Sequence, residues 1–127
     1  MTFTTIKQSE RLVGLGLNLR TADAYYVNGS GDPHFGKWSD HSHDDDDVPA
    51  WSLSALLKLM PEIRTEYGFM QPYLVGGFGR RFRFMCFYKI TYNTQNCDEP
   101  IDAAYEMIVW LLENGHIKNE NDTVSEG

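Results

Sequence analysis

The sequence predicts an α+β domain, in which a small antiparallel sheet of three or four strands is covered by three main helices packed largely on one face. Three segments carry apolar residues at helical spacing between capping and stop signals, and residues 82–92 alternate as a strand does. The length of 127 residues fits one hydrophobic core. Residues 1–127 are therefore expected to form a single domain.

The first helix is expected close to the start of the chain. Thr4 or Thr5 can cap it, because a threonine hydroxyl satisfies an orphan backbone N–H, and Gln8 lies near the capping-box position. Gly14 and Gly16 are expected to end this helix, since glycine readily adopts the left-handed closing conformation.

Strand and turn signals alternate in the next part of the chain. Thr21 is expected to open a short turn, and the aromatic and β-branched run 25–27 is typical of a strand. The turn-rich run 28–33 then leads to a short returning strand at 35–38, which makes a hairpin. The run 39–49 holds four consecutive aspartates, and it is expected to be a mobile acidic loop because like charges repel.

Two further helices are predicted by their caps. Ser52 caps the second helix, and Pro61 closes it because proline disfavours helix at the preceding residue. Asp98 caps the third, Pro100 occupies its first turn and Gly115 ends it. The core-facing positions of the two helices are Leu53, Leu56, Leu57 and Met60, then Ile101, Ala104, Tyr105, Ile108, Leu111 and Leu112.

Between these helices, residues 73–75 and 82–92 are expected to form strands. The run 82–92 is the clearest strand of the chain, because its successive residues would point alternately to the two faces of a sheet. One face would carry Phe82, Phe84, Cys86, Tyr88, Ile90 and Tyr92. The polar run 119–127 is expected to be a frayed tail.

Composition narrows the classes of function. A net charge of −7 opposes non-specific binding to a nucleic-acid backbone. No apolar stretch reaches the roughly 20 residues that a membrane helix needs, and the polar first ten residues do not resemble a signal peptide. Cys86 and Cys97 form no CxxC pair and are expected to be reduced. The cytoplasm is therefore the expected location.

Catalytic motifs are missing from the sequence. The glycines of the run 76–81 lead into a strand, whereas a phosphate-binding loop needs glycines that enter a helix. GxSxG and HExxH do not occur. Cys97 precedes a helix, where a thiolate is favoured, but no nearby base accompanies it. These observations favour a protein without catalytic activity.

One group of residues has the chemistry of a metal site. His34, His41, His43 and Asp44 offer imidazole and carboxylate ligands. Their spacing matches no structural zinc motif, and the aspartate run lacks the alternation and central glycine of an EF-hand loop. A solvated loop is favoured, so no cofactor is expected, while a divalent metal or small ligand at these residues is the alternative.

Charge is unevenly distributed along the chain. The run 39–49 carries five acids and no base, whereas 50–97 carries six bases and two acids. The segregation by itself is best explained by mutual compensation of charge within one fold. Together with the missing catalytic motifs, it makes a protein partner the leading functional hypothesis, with homo-oligomerisation open and an acidic mimic of nucleic acid as a further alternative. The candidate contact residues are the two tryptophans that flank the acidic run and are expected to be partly exposed, with the nearby charges: Trp38, Trp51, Asp45, Asp46, Asp47, Arg80, Arg81 and Arg83.

Several segments together resemble a family of small uncharacterised proteins of gut Bacteroidetes, often found in prophage-like or other mobile regions. They are TIKQS at 5–9, LGL at 15–17 and TAD at 21–23, then PAWSLSALL at 49–57 with Pro61, then PIDAA at 100–104 and WLLEN at 110–114. The resemblance covers most of the chain in order and leaves out the His-rich acidic run. It implies a bacterial or phage setting in the cytoplasm, with no established activity, so an accessory protein of a mobile element is the expectation.

Overall fold

Helices and strands both occur in the part of the chain that the structure describes, which confirms the α+β class. The structure, a computed structural model, describes residues 3–27, 31–40, 46–65, 68–70, 72–76, 84–88, 92–93 and 99–118. Its helices are α1 (Ile6–Gly14), α2 (Leu53–Lys58) and α3 (Pro100–Glu113), and two 3₁₀ turns cover Leu19–Thr21 and Trp38–Asp40. No helix in these ranges has the length and apolar character that crossing a membrane requires.

The predicted ends of α1 are confirmed. Thr5 Oγ1 accepts a hydrogen bond from the Gln8 backbone N–H at 3.1 Å, and Gln8 Oε1 accepts one from the Thr5 N–H at 3.0 Å. At the other end, Gly16 has a φ of 89°. Its N–H and that of Leu17 donate to the carbonyls of Val13 and Leu12, which closes the helix in a Schellman motif.

The N-cap of α3 differs from the prediction. Glu99 occupies this position with φ −120° and ψ 141°, and its side chain makes no capping hydrogen bond. Pro100 follows at the first helical position and disfavours helical backbone at the residue before it. The prediction of Asp98 as the cap is therefore wrong, while Gly115 ends the helix as predicted, with a φ of 75°.

The first sheet has the strand order β2-β1-β3, and all its pairs are antiparallel. Its strands are β1 (Ala24–Tyr26), β2 (His34–Phe35) and β3 (Val48–Ala50). The predicted hairpin is confirmed in β1 and β2, but β2 is shorter than expected because the chain turns into a 3₁₀ helix at Trp38. The expected acidic loop is also shorter, since Val48 and Pro49 form part of an edge strand, where a proline is tolerated.

The remaining strands form a hairpin and a second three-stranded sheet. They are β4 (Ile63–Thr65) paired with β5 (Gly68–Met70), then β6 (Pro72–Gly76), β7 (Phe84–Tyr88) and β8 (Tyr92–Asn93) in the order β6-β7-β8. All these pairs are antiparallel. Tyr88 pairs with Tyr92, so the prediction of one continuous strand over 82–92 is wrong.

The core is built around α3. This helix contacts α2 on the one hand and β6 and β7 on the other, while α1 contacts β3. All predicted core positions of α3 are buried, and Ala103, Met107 and Val109 are buried as well. A helix that is apolar around most of its circumference belongs in an interior, which agrees with these neighbours.

A buried polar cluster joins the start of the chain to Trp51, the residue after β3, and to β1. Thr4 is fully buried; its N–H donates to the Trp51 carbonyl at 2.9 Å, and its Oγ1 accepts from the Trp51 N–H at 3.1 Å. Its Oγ1 also lies 2.7 Å from Ser9 Oγ, and its carbonyl accepts the Tyr26 hydroxyl proton at 2.8 Å. Each of these polar groups therefore has a partner, as burial requires.

Candidate functional site

A cleft of about 620 Å³ opens where β2 and the first turns of α2 and α3 come together. Its volume lies within the range of small-molecule pockets, about 300–1,000 Å³. We call it the Phe35 cleft, and it is lined by Asp23, Phe35, Ser52, Leu53, Ser54, Lys58, Glu99, Pro100 and Ile101.

Phe35 is the most unusual residue of this cleft. Its side chain is 68% exposed, whereas the other exposed large hydrophobic side chains in the described part of the chain, Leu19 and Leu57, are each 37% exposed. Strand β2 holds it in place, because Phe35 pairs with the buried Ala24 of β1. Its ring also packs edge-to-face against Phe3, with 5.9 Å between ring centroids. An aromatic ring is thus fixed at the surface beside the apolar side chains of Leu53 and Ile101.

Two polar side chains that line the cleft are used by the fold. Asp23 Oδ1 accepts the Ser52 backbone N–H at 2.8 Å, and Asp23 Oδ2 accepts the Ser52 hydroxyl proton at 2.5 Å. Ser52 Oγ in turn accepts the Ala55 N–H at 3.1 Å, which confirms Ser52 as the N-cap of α2. The serine hydroxyl and the carboxylate therefore both take part in starting α2.

A second cleft of about 270 Å³ adjoins the first. The two share Asp23, Ser54 and Lys58 among their lining residues. We call it the cationic cleft, because three of its lining residues are basic and one is acidic. It is lined by Arg20, Thr21, Ala22, Asp23, Lys37, Ser54, Ala55, Lys58 and Leu59.

The three cations of this cleft are exposed, and none has a carboxylate within ion-pairing distance in the described part of the chain. Arg20 follows Asn18, whose side chain accepts its backbone N–H at 3.0 Å and so fixes the 3₁₀ turn that carries it. Lys58 lies in the last turn of α2, and Lys37 lies between β2 and the second 3₁₀ turn. Three separate elements thus bring positive charge to one concave surface of an acidic chain.

Trp51 does not occupy the surface predicted for it. It has no solvent exposure and belongs to the core cluster that includes Leu12 and Leu56. Its indole N–H is satisfied by Thr21 Oγ1, so burial leaves no polar group unpaired. The prediction that Trp51 is partly exposed is wrong, whereas Trp38 is half-buried and packs against the same cluster.

The residues of the predicted metal group are only partly within the described chain. His34 is exposed, and its ring stacks on Tyr25 with centroids 5.6 Å apart. His41, His43 and Asp44 lie outside the described residues, so a metal site there stays a prediction. In the ranges that the structure covers, no group of three or more His, Cys, Asp or Glu side chains could hold a metal ion.

The charged contact residues are likewise divided. Asp46 is exposed and Asp47 is half-buried immediately before β3. Asp45, Arg80, Arg81 and Arg83 lie outside the described residues, and their role as contact residues stays a prediction.

The sequence did not point to Phe35, Arg20, Lys37 or Lys58 as site residues. Phe35 was expected only to be part of a returning strand, and its exposure depends on what packs beside that strand. The one usable signal was the spacing of Ser54 and Lys58, which puts a hydroxyl and an ammonium group on one helix face, four residues apart. The partners of that face come from other elements and carry no local pattern.

Comparison with known proteins identified no relative of this chain. No protein-family model, no curated protein and no solved structure matches the chain.

Proposed function

We propose that this protein is a non-enzymatic binding protein that recognises a protein partner through the Phe35 cleft. The observation that carries the proposal is Phe35 itself, an aromatic ring that is largely exposed yet held by β-sheet pairing and by an edge-to-face contact. Phenylalanine, like the other aromatic residues, is enriched in the cores of protein interfaces relative to the rest of the surface.

Binding is favoured over catalysis by the state of two polar side chains in the cleft. Asp23 and Ser52 are both engaged in starting α2. Apolar contact is what the cleft offers, through Phe35, Leu53 and Ile101. A partner would insert an apolar side chain there, and burial of that side chain would supply most of the affinity.

The contact surface in this proposal differs from the one that the sequence suggested. Trp51 is buried, so the cleft beside Phe35 replaces it as the centre of the contact. The resemblance to the Bacteroidetes family suggests what the two proteins are. In this proposal the partner is a bacterial or phage protein of the cytoplasm, and the present chain is an accessory protein of a mobile element.

The test begins with a photo-crosslinking phenylalanine analogue at position 35. In lysate of the organism of origin, it should capture a partner that the same analogue at position 57 does not capture. Leu57 is a matched control, because it is 37% exposed and lines neither cleft.

The captured protein is then purified and titrated calorimetrically against the wild type and two truncations. Phe35→Ala should weaken binding by on the order of ten-fold or more, while Leu57→Ala should leave it unchanged. Circular dichroism of both variants checks that the fold is kept. Equal capture at positions 35 and 57, or unchanged binding by Phe35→Ala, would show that the cleft is not the contact surface.

A further inference from the structure

We infer that the partner segment held by the Phe35 cleft is acidic, with an apolar side chain in that cleft and a neighbouring carboxylate in the cationic cleft. This inference rests on the function proposed above and adds the chemistry of the partner. The observation that carries it is the continuity of the two clefts, which share Asp23, Ser54 and Lys58.

Charge complementarity supports a carboxylate at this place. Arg20, Lys37 and Lys58 line the cationic cleft, and no carboxylate in the described part of the chain pairs with them. The whole chain carries a net charge of −7, so a positive surface is not what its composition alone would produce. These three cations, which pair with no carboxylate in the described part of the chain, are available to an incoming anion.

The acidic residues nearby set the orientation of the ligand. The two carboxylate oxygens of Asp23 each accept a hydrogen bond from Ser52, which ties its charge to the start of α2. Glu99 lines the Phe35 cleft and not the cationic cleft. A second carboxylate at the α3 side would meet Glu99 and be repelled, so the acidic group belongs on the side of Lys58.

Hydrogen bonding can add to this attraction. Ser54 is exposed on the helix face of Lys58, and its hydroxyl makes no hydrogen bond with the described part of the chain. The Thr21 hydroxyl is already engaged, since it donates to the Asn18 carbonyl and accepts from the Trp51 indole. Ser54 is therefore the hydroxyl that can donate to a bound carboxylate, together with the three cations.

The experiment uses three blocked peptides of identical length, each with a leucine that has two glutamate, two glutamine or two lysine residues on one side and two alanines on the other. Each peptide is made in both sequence orders, so that the charged pair can face Lys58 and not Glu99. Binding is followed by chemical-shift changes in two-dimensional NMR spectra of the full chain. The glutamate peptide should bind on the order of ten-fold more tightly than the glutamine peptide, since three exposed ion pairs each contribute modestly. This preference should shrink as salt is raised.

Two variants locate the effect. The triple change Arg20→Met, Lys37→Met and Lys58→Met should abolish the preference for glutamate, while Lys7→Met, an exposed lysine of α1 that lines neither cleft, should keep it. Equal binding of the glutamate and glutamine peptides, with shifts at Phe35 and Ile101, would overturn the inference and leave the proposed binding function standing. A preference that Lys7→Met lowers as much as the triple change would overturn it too, because net charge alone would then explain it.

Two other results would also contradict the inference. If none of the peptides shifts Phe35 or Ile101, the proposed use of the Phe35 cleft fails together with the inference. If sedimentation shows self-association of the wild type that Phe35→Ala abolishes, the cleft is occupied by a second copy of the chain, and the acidic-segment inference is wrong.

Discussion

The indole N–H of Trp51 donates a hydrogen bond to Thr21 Oγ1 at 2.9 Å. The Thr21 hydroxyl in turn donates a hydrogen bond to the backbone carbonyl of Asn18 at 2.6 Å. On its other side, the Trp51 backbone exchanges two hydrogen bonds with Thr4. A tryptophan that the sequence suggested as a surface anchor is thus the residue that joins the first 3₁₀ turn, the start of the chain and the core.

The burial of Trp51 can be measured by fluorescence. The chain has three tryptophans, so the double change Trp38→Phe and Trp110→Phe leaves Trp51 as the sole indole. Its emission is expected to be blue-shifted and weakly quenched by iodide, because the side chain has no solvent exposure. A matched variant that keeps only Trp38, which is half-buried, should be quenched more strongly. Emission of the Trp51-only variant at the wavelength of free tryptophan would contradict this placement.

The Asp23–Ser52 pair is expected to stabilise the start of α2. Asp23→Ala should lower the free energy of unfolding by about 2 kcal/mol, because two hydrogen bonds to a carboxylate are lost and the Ser52 N–H loses its partner. Ser52→Ala should cost about 1 kcal/mol through the lost helix cap. Urea denaturation of both single variants and the double variant should show a double-variant cost smaller than the sum. Glu106→Ala, which removes an exposed carboxylate, is the control, and it should change the free energy of unfolding by no more than about 0.5 kcal/mol. If the costs of Asp23→Ala and Ser52→Ala simply add in the double variant, the two residues do not act as a pair.

Tyr26 should make stability fall at alkaline pH. Burial raises the pKa of Tyr26 above its ordinary value of 10.0, so the unfolded chain releases this proton at a lower pH than the folded chain does. The contribution to stability is fully present below pH 10.0 and is lost as the pH rises through the folded-state pKa. Tyr26→Phe should cost about 1 kcal/mol at neutral pH, because the Thr4 carbonyl loses its donor. In denaturation curves, the gap between wild type and variant should narrow above pH 10.0, and a constant gap would count against the raised pKa.

Two glycines near helix ends should respond in opposite ways to the same substitution. An added Cβ would meet no heavy atom within 4 Å at either Gly14 or Gly115, so steric contact does not distinguish them. Gly115 has a φ of 75°, and Gly115→Ala should lower the melting temperature, at a cost of about 1 kcal/mol. Gly14 is the last residue of α1, and Gly14→Ala should raise the melting temperature, with a gain of about 0.5 kcal/mol. Thermal melts of both variants decide; a shift of the same sign in each would be the contrary result.

The features that the sequence predicted well are those determined by neighbouring residues. Thr5 with Gln8, Ser52, Gly16 and Gly115 each satisfy backbone groups a few positions away, so their roles can be read from the local sequence. Their helix ends are where they were expected. The apolar positions of α3 were also predicted, because a helix repeats its faces along the sequence.

The features that were missed depend on distant parts of the chain. The alternation of residues 82–92 continues without interruption, and nothing in a period-two pattern reveals that Tyr88 and Tyr92 lie on opposite strands. Strand β3 was missed because Pro49 and the aspartates before it are typical of a loop. The clefts bring together residues from four separate stretches of sequence, so no local signal describes them.

Because α3 is central to the core and is synthesised after α1 and α2, the core can be completed only late in synthesis. Ribosomes release residues 12–60 before residues 101–112, yet both stretches contribute to one apolar cluster. Until α3 emerges, Leu12, Trp51 and Leu56 lack the α3 side chains that complete this cluster. A nascent chain stopped before residue 100 should therefore be open to proteases and attractive to chaperones, and only the late arrival of α3 would end that exposure.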